Sequence, residues 1–156
     1  MKQPEIGKMA PNITLPASSG ETVTLRELRG KKVVLFFYPK DQTPTCTQEA
    51  CDFRDAHAAF EAADTILIGV SPDPIQSHHK FIAKHDLPFL LLSDTERKAT
   101  VKYGVWQEKQ LYGRKYMGIV RSTFLIDRKG KLVREWRNVR LKGHIETVLQ
   151  AAGVLK

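Results

Sequence analysis

Cys46 and Cys51 are the only cysteines in the chain, and both lie in the run Tyr38-Pro-Lys-Asp-Gln-Thr-Pro-Thr-Cys-Thr-Gln-Glu-Ala-Cys51. The run follows an apolar, β-prone segment and opens an expected helix. Peptide N–H groups in the first turn of a helix lack intrahelical partners and attract negative charge. Cysteine reacts as the thiolate, and a helix N-terminus favours that form. A second thiol five residues on is placed to capture the first once it is oxidised. The pattern points to thiol redox chemistry.

The neighbours of Cys46 suit the same chemistry. Pro39 and Pro44 stiffen the loop and are placed to shield a thiolate from water. The Thr43 hydroxyl is a donor aimed at the thiolate or at an oxygen bound beside it. Arg121 lies in Gly118-Ile-Val-Arg-Ser-Thr-Phe-Leu-Ile-Asp127, read as a late strand. Its charge is out of place on a central sheet unless an anion awaits it. Beside Cys46 it would stabilise the thiolate and polarise a leaving oxygen. Glu49, one helical turn after Cys46, is placed to orient that arginine.

The spacing is Cys-x4-Cys, not the Cys-x-x-Cys of simple dithiol exchange sites. Residues five apart on an α-helix are separated by about 7.5 Å of rise and about 140° of rotation. Their Cα atoms then lie roughly 8–9 Å apart, beyond the disulfide limit of about 7 Å. If both are helical when reduced, a bond between them requires local unwinding. The expectation is a reduced helix and an oxidised, partly unfolded 46–51 segment.

The elements that must position these residues are legible as an alternating series. Asn12–Pro16 and Thr22–Leu25 flank a Ser- and Gly-rich turn and read as an N-terminal β-hairpin. Leu25–Leu28 reads as a short helical turn stopped by Gly30. Val33-Val-Leu-Phe-Phe-Tyr38 and Thr65-Ile-Leu-Ile-Gly-Val70 are continuously apolar, the mark of strands buried on both faces. Between them a single helix is expected from Thr45 to Ala62. A helix through His85 follows Pro74, Phe89–Leu92 reads as a third buried strand, and Glu96–Tyr103 as a short helix. Val120–Asp127 and Lys131–Trp136 read as strands about the turn Arg128–Gly130. Gly143–Ala152 closes the chain as an amphipathic helix, and Gln107–Gly118 reads as a long irregular stretch. The fold class is α/β, a central mixed sheet flanked by helices with an N-terminal β-hairpin. A strand, a turn and a helix with cysteine near its start form a thioredoxin-like arrangement.

At 156 residues, residues 1–156 are expected to form one domain. No apolar run approaches the roughly 20 residues that span a bilayer. No apolar stretch of signal-peptide type opens the chain, so a cytoplasmic location is expected. Two cysteines do not make a disulfide scaffold, and in a reducing compartment they are reactive groups rather than staples. The formal net charge is +8. The basic residues are scattered, which argues for a solvated surface and against a specific nucleic-acid site. His78 and His79 are adjacent and diverge on a helix. His57, His85 and His144 show no ligand spacing with either cysteine, so no metal site is expected. Trp106 and Trp136 read as packing or rim residues, and Tyr112, Tyr116 and Met117 are candidates for the approach to the site.

At these residues the sequence resembles a known family. Pro39-Lys-Asp-Gln-Thr43-Pro-Thr-Cys46 is similar to the Pro-x-x-x-Thr/Ser-x-x-Cys signature of peroxiredoxins. Cys46-Thr-Gln-Glu-Ala-Cys51 resembles the cysteine pair of the Q type, the bacterioferritin comigratory proteins. The likeness extends over nearly the whole chain, through Gly7–Pro16, Gly69–Asp73, Leu92–Thr95 and Arg121–Asp127. It departs at Thr45, where family members often carry glycine. The resemblance implies a thioredoxin-like fold and a peroxidase that reduces hydrogen peroxide and organic hydroperoxides without metal, haem or flavin. By that analogy Cys46 is the peroxidatic residue and Cys51 the resolving one, with Pro39, Thr43 and Arg121 completing the site. It implies antioxidant defence, a Cys46–Cys51 intramolecular disulfide, thioredoxin as reductant and a monomer, since the bond closes within one chain. The competing readings are a general thiol–disulfide oxidoreductase, which the missing Cys-x-x-Cys disfavours, and a redox-sensing or nucleic-acid-binding domain using the basic surface.

Overall fold

The computed structural model describes residues 3–156. A five-stranded mixed sheet runs through its centre, with strands in the order β5-β4-β3-β8-β9. These are β3 (Lys32–Phe37), β4 (Thr65–Ser71), β5 (Leu90–Ser93), β8 (Ser122–Ile126) and β9 (Leu132–Arg137). β3 and β4 are parallel, as are β4 and β5, whereas β8 runs antiparallel to both β3 and β9. Every residue of β3 is buried, as its unbroken apolar run requires. Its side chains alternate between two cores. Val33, Leu35 and Phe37 join Ile68, Val70, Tyr103 and Phe124 on one face. Val34, Phe36 and Tyr38 join Phe53, Phe60, Phe81 and Val148 on the other.

The second core is roofed by helices α1 (Pro44–Asp55), α2 (His57–Ala62), α3 (Ile75–His85) and α5 (His144–Val154). The first core is closed by the short α4 (Lys98–Lys102), a 3-10 turn at Leu25–Leu28, and the N-terminal hairpin of β1 (Thr14–Pro16) and β2 (Thr22–Thr24). That hairpin forms as its sequence indicates, with Leu15 opposite Val23. An isolated bridge from Ala17 to Leu92 ties it to the sheet edge. Lys32, buried at the start of β3, donates from Nζ to the carbonyls of Ala152 (2.7 Å) and Leu155 (2.9 Å), satisfying the end of α5.

The structure corrects several expected boundaries. The helix expected over Thr45–Ala62 is two helices, interrupted at Ala56 with φ −98° and ψ 1°. With that bend Phe53 and Phe60 are both fully buried, their ring centres 5.9 Å apart. Alanine is the best helix former, so its propensity carries no sign of the break.

The stretch Gln107–Gly118 is not irregular. Its residues build the hairpin of β6 (Trp106–Leu111) and β7 (Arg114–Ile119). Tyr112 (φ 50°) and Gly113 (φ 77°) form its two-residue loop, both with positive φ, as a type I′ turn demands. The strands are polar and largely exposed, which hides the alternation a half-buried strand would show. The short helix expected over Glu96–Tyr103 contracts to Lys98–Lys102, and the strand expected over Val120–Asp127 to Ser122–Ile126. Arg121 therefore lies in the junction immediately before β8 rather than on the strand.

Candidate active site

Pro44 occupies the first position of α1, where its missing N–H costs nothing and its fixed φ suits the helix. Cys46 follows two residues later, inside the first turn. Its side chain is almost wholly buried, while that of Cys51, on the same helix, is partly exposed, and both thiols are free. One unbroken helix thus carries both cysteines, as expected for the reduced chain.

Arg121 reaches α1 from the junction before β8 and serves two groups there. Its Nη1 donates to Glu49 Oε1 at 2.7 Å and its Nη2 to Cys46 Sγ at 3.2 Å. The Arg121 side chain is 12% exposed and that of Glu49 is fully buried. Burial pushes the Glu49 carboxyl up to about 7, against the pull of Arg121. Glu49 Oε2 has no partner, the only such buried side-chain nitrogen or oxygen among the described residues. A guanidinium holding a carboxylate with one nitrogen and a sulfur with another can stabilise a thiolate and, later, a departing oxygen.

Of the residues expected to meet at Cys46, Arg121 contacts the sulfur directly, and Glu49 holds Arg121. Thr43 is the N-cap of α1, yet its hydroxyl donates to the Lys40 carbonyl at 2.9 Å rather than to the thiol. Pro39 is half-buried in the same loop, whereas Pro44 is exposed.

Two nearby basic side chains were not singled out from sequence. Lys109, on β6, donates from Nζ to the Ile119 carbonyl at 2.7 Å. Burial lowers its pKa, Arg121 lowers it further and the field of Cys46 opposes both. It was hidden in a stretch read as irregular. His144 opens α5 with its ring edge-on to Phe53 and Trp136, and its Nε2 is 2.9 Å from Thr123 Oγ1. Burial, and then the charge of Arg121, pushes it down to about 4, so it is neutral at ordinary pH.

One group of possible metal ligands comes together, Asp41, Asp73 and His78, with ligand atoms within 4.8 Å of one another. Spacing does not reveal it, because the residues come from separate loops and α3. Their atoms already engage one another and the hydroxyls of Tyr38, Ser71 and Ser77. A cation would have to displace that set. His78 is buried and His79 exposed, so the adjacent pair does diverge.

A thioredoxin-like sheet with a cysteine in the first turn of the helix after its central strand, paired to an arginine and followed by a second thiol, defines a thiol-redox protein. The chain belongs to the AhpC/TSA family, whose model matches residues 6–135. Peroxiredoxin Bcp of Bacillus subtilis (strain 168) is 54% identical over 146 residues, covering 94% of this chain and 93% of the relative. The solved Peroxiredoxin Q of Xanthomonas campestris superposes with a TM-score of 0.86 at 41% identity, over 90% of this chain and 89% of the other. PrxQ of Xylella fastidiosa gives 0.90 at 35% identity, over 97% and 96%. The protein is a thiol-dependent peroxidase of the Q/Bcp kind. No helix among the described residues is long and apolar enough to cross a membrane.

Proposed function

We propose that Cys46 is the thiol that attacks the hydroperoxide and that Cys51 resolves its oxidised form, within a single domain spanning residues 1–156. The Cys46 thiolate attacks the terminal oxygen. The O–O bond breaks, an S–O bond forms, and the leaving oxygen takes a proton and departs as water or alcohol. Sulfur is oxidised to sulfenic acid as the peroxide is reduced. The Cys51 sulfur then displaces the sulfenic oxygen as water and closes a Cys46–Cys51 disulfide. An external dithiol of the thioredoxin kind restores both thiols by exchange.

The observation that carries this reading is Arg121, donating at once to Cys46 Sγ and to Glu49. Arg121 stabilises the attacking thiolate and then the departing oxygen, and Glu49 holds the guanidinium in place. Thr43 and Pro39 form the other wall, and the Thr43 hydroxyl turns from the Lys40 carbonyl to a bound peroxide. Organic hydroperoxides are included as substrates. A Xanthomonas campestris relative, bacterioferritin comigratory protein, has been described for alkyl peroxide reduction activity. Tyr116 and Met117, exposed on β7, would offer apolar surface to an organic hydroperoxide. Because the disulfide closes within one chain, catalysis needs no second subunit, and a monomer suffices for the cycle. A need for dithiol reductant places the protein in a reducing compartment such as the cytoplasm, serving antioxidant defence.

Intact mass and thiol titration before and after one equivalent of hydrogen peroxide test these roles. The native chain should lose both thiols and two hydrogens. Cys46→Ser should lose the reaction, and Cys51→Ser should stop at a sulfenic acid trapped by dimedone. Slow oxidation indifferent to which cysteine is removed would reject both assignments.

A further inference from the structure

Asp41 lies midway between Pro39 and Thr43, and it is the most heavily bonded residue of their loop. Its Oδ1 accepts from the Tyr38 hydroxyl at 2.6 Å. Its Oδ2 accepts from Ser77 Oγ at 2.8 Å and lies 2.7 Å from His78 Nδ1. Its backbone N–H donates to Asp73 Oδ2 at 2.7 Å, an oxygen that also accepts from Ser71 Oγ. His78 continues the chain through Nε2 to the Leu92 carbonyl, at 2.9 Å. The side chains of Asp41 and His78 are 1% and 0% exposed.

The proton positions follow from chemistry. A carbonyl only accepts, so His78 Nε2 carries hydrogen. A further proton lies between His78 Nδ1 and Asp41 Oδ2, whichever atom holds it. A buried network in which every member is satisfied is rigid, because each lost bond leaves a polar group without water. One residue thereby ties the loop to the end of β3, to the β4–α3 connection, to α3 and, through His78, to β5. The next residue, Gln42, turns the chain sharply with φ 62°, a conformation that needs such support.

The helix side of the site has no such anchor. From Pro44 to Cys51, the side-chain hydrogen bonds leaving α1 run from Cys46 and Glu49 to Arg121 alone. Gln48 bonds only within the helix, to Asp52.

We propose that Asp41 and His78 are positioning residues of the peroxide reaction. They hold Pro39 and Thr43 in place throughout the cycle, so that the unwinding that brings Cys46 to Cys51 begins after Thr43. The proposal rests on the roles given above to the two cysteines.

The first test uses the native chain. Amide exchange followed by NMR is compared in the reduced and disulfide forms. The Asp41 amide, bonded to Asp73, should stay protected in both. The Thr47 amide, bonded to the Thr43 carbonyl at 2.8 Å, should lose protection on oxidation. Loss at Asp41 alongside Thr47 overturns the proposal. The second test uses Asp41→Asn and His78→Gln in stopped flow. The peroxide-dependent step should slow at least about tenfold, because a small misplacement of positioning groups has large effects on rate. The later first-order closure of the disulfide and alkylation of Cys46 by iodoacetamide should be unchanged, since neither needs Thr43. An equal loss in all three rates, or native peroxide rates, would show a merely structural role. If the native chain forms no Cys46–Cys51 disulfide by mass, the cysteine assignments themselves fail, and that result is read separately.

Discussion

Arg121 donates with one guanidinium to two groups, Glu49 Oε1 and Cys46 Sγ. Lysine carries the same charge but no planar fork, so Arg121→Lys cannot hold Glu49 and Cys46 together. The peroxide step should fall by about 10²-fold, the usual scale for losing one such donor, measured as the second-order rate with hydrogen peroxide. Glu49 makes a prediction about stability. Its carboxyl rises from 4.5 to about 7 on folding. A raised acid binds its proton more tightly in the native state, so its contribution is complete below about pH 4.5 and is lost as pH rises through about 7. His144 has the opposite sign. Its folded value, about 4, lies below the ordinary 6.5, so its contribution is present above pH 6.5 and fades as pH falls toward 4. Glu49→Gln should therefore gain stability relative to the native chain as pH rises from 4.5 to beyond 7, read from urea melts at fixed pH. A constant difference across that range would mean that Glu49 does not titrate there. At this scale the cysteine pair, Arg121 and Glu49 were legible in sequence, because an arginine next to an apolar strand calls for an anion and Glu49 follows Cys46 by one helical turn. The bonds of Thr43, the Asp41–His78 pair and Lys109 were not. Each depends on which loops meet in space, and no local spacing encodes that.

α1 is the element on which the chemistry turns, and its two cysteines are on the wrong sides of it for a disulfide. The Cα separation of roughly 8–9 Å for a five-residue step exceeds the disulfide limit of about 7 Å, so closing the bond must break helical hydrogen bonds. Far-ultraviolet circular dichroism should lose about one to two turns of helix on oxidation, and dithiothreitol should restore them. An unchanged spectrum with a proven Cys46–Cys51 bond would contradict the helical reduced geometry. The buried strands were legible because Val33–Tyr38 and Ile66–Val70 are near-continuous apolar runs long enough to be unambiguous. The β6–β7 hairpin was not, because its strands are polar and its turn is Tyr-Gly where Asn-Gly is the usual signal. Tyr112 is 96% exposed with φ 50°, so it carries backbone strain without packing to offset it. Tyr112→Asn should stabilise the protein by roughly 0.5–1 kcal/mol, since asparagine tolerates that conformation better. Destabilisation in a urea melt would mean that the Tyr112 ring makes contacts in solution.

The whole molecule links sheet to active-site helix through one aromatic stack. Phe36 on β3 lies with its ring centre 4.5 Å from that of Phe53 on α1, and Phe53 in turn contacts Phe60 on α2. Phe36 fits because the neighbouring position on β4 is Gly69, paired with it across the parallel ladder. A Cβ at Gly69 would come within 2.8 Å of both Phe36 Cζ and Leu91 Cδ2, closer than packed carbons approach. Gly69 has an ordinary strand backbone, so the demand is for space rather than for an unusual φ. Both obstructing side chains are wholly buried, which leaves them little room to yield. Gly69→Ala should cost about 1–3 kcal/mol, the usual range for an overpacked core, lowering the melting temperature by roughly 3–10 °C in a chain of this length. Displacement of Phe36 would be felt at Phe53, seven residues beyond Cys46 on the same helix. Substitution at a site remote from any peroxide contact should then also slow the peroxide-dependent step. Gly153, helical in α5 with no atom within 4 Å of its added Cβ, provides the control, and Gly153→Ala should hold or slightly raise the melting temperature through helix propensity and leave the rate near native. Equal behaviour of the two variants would show that the sheet and α1 are not coupled through Phe36.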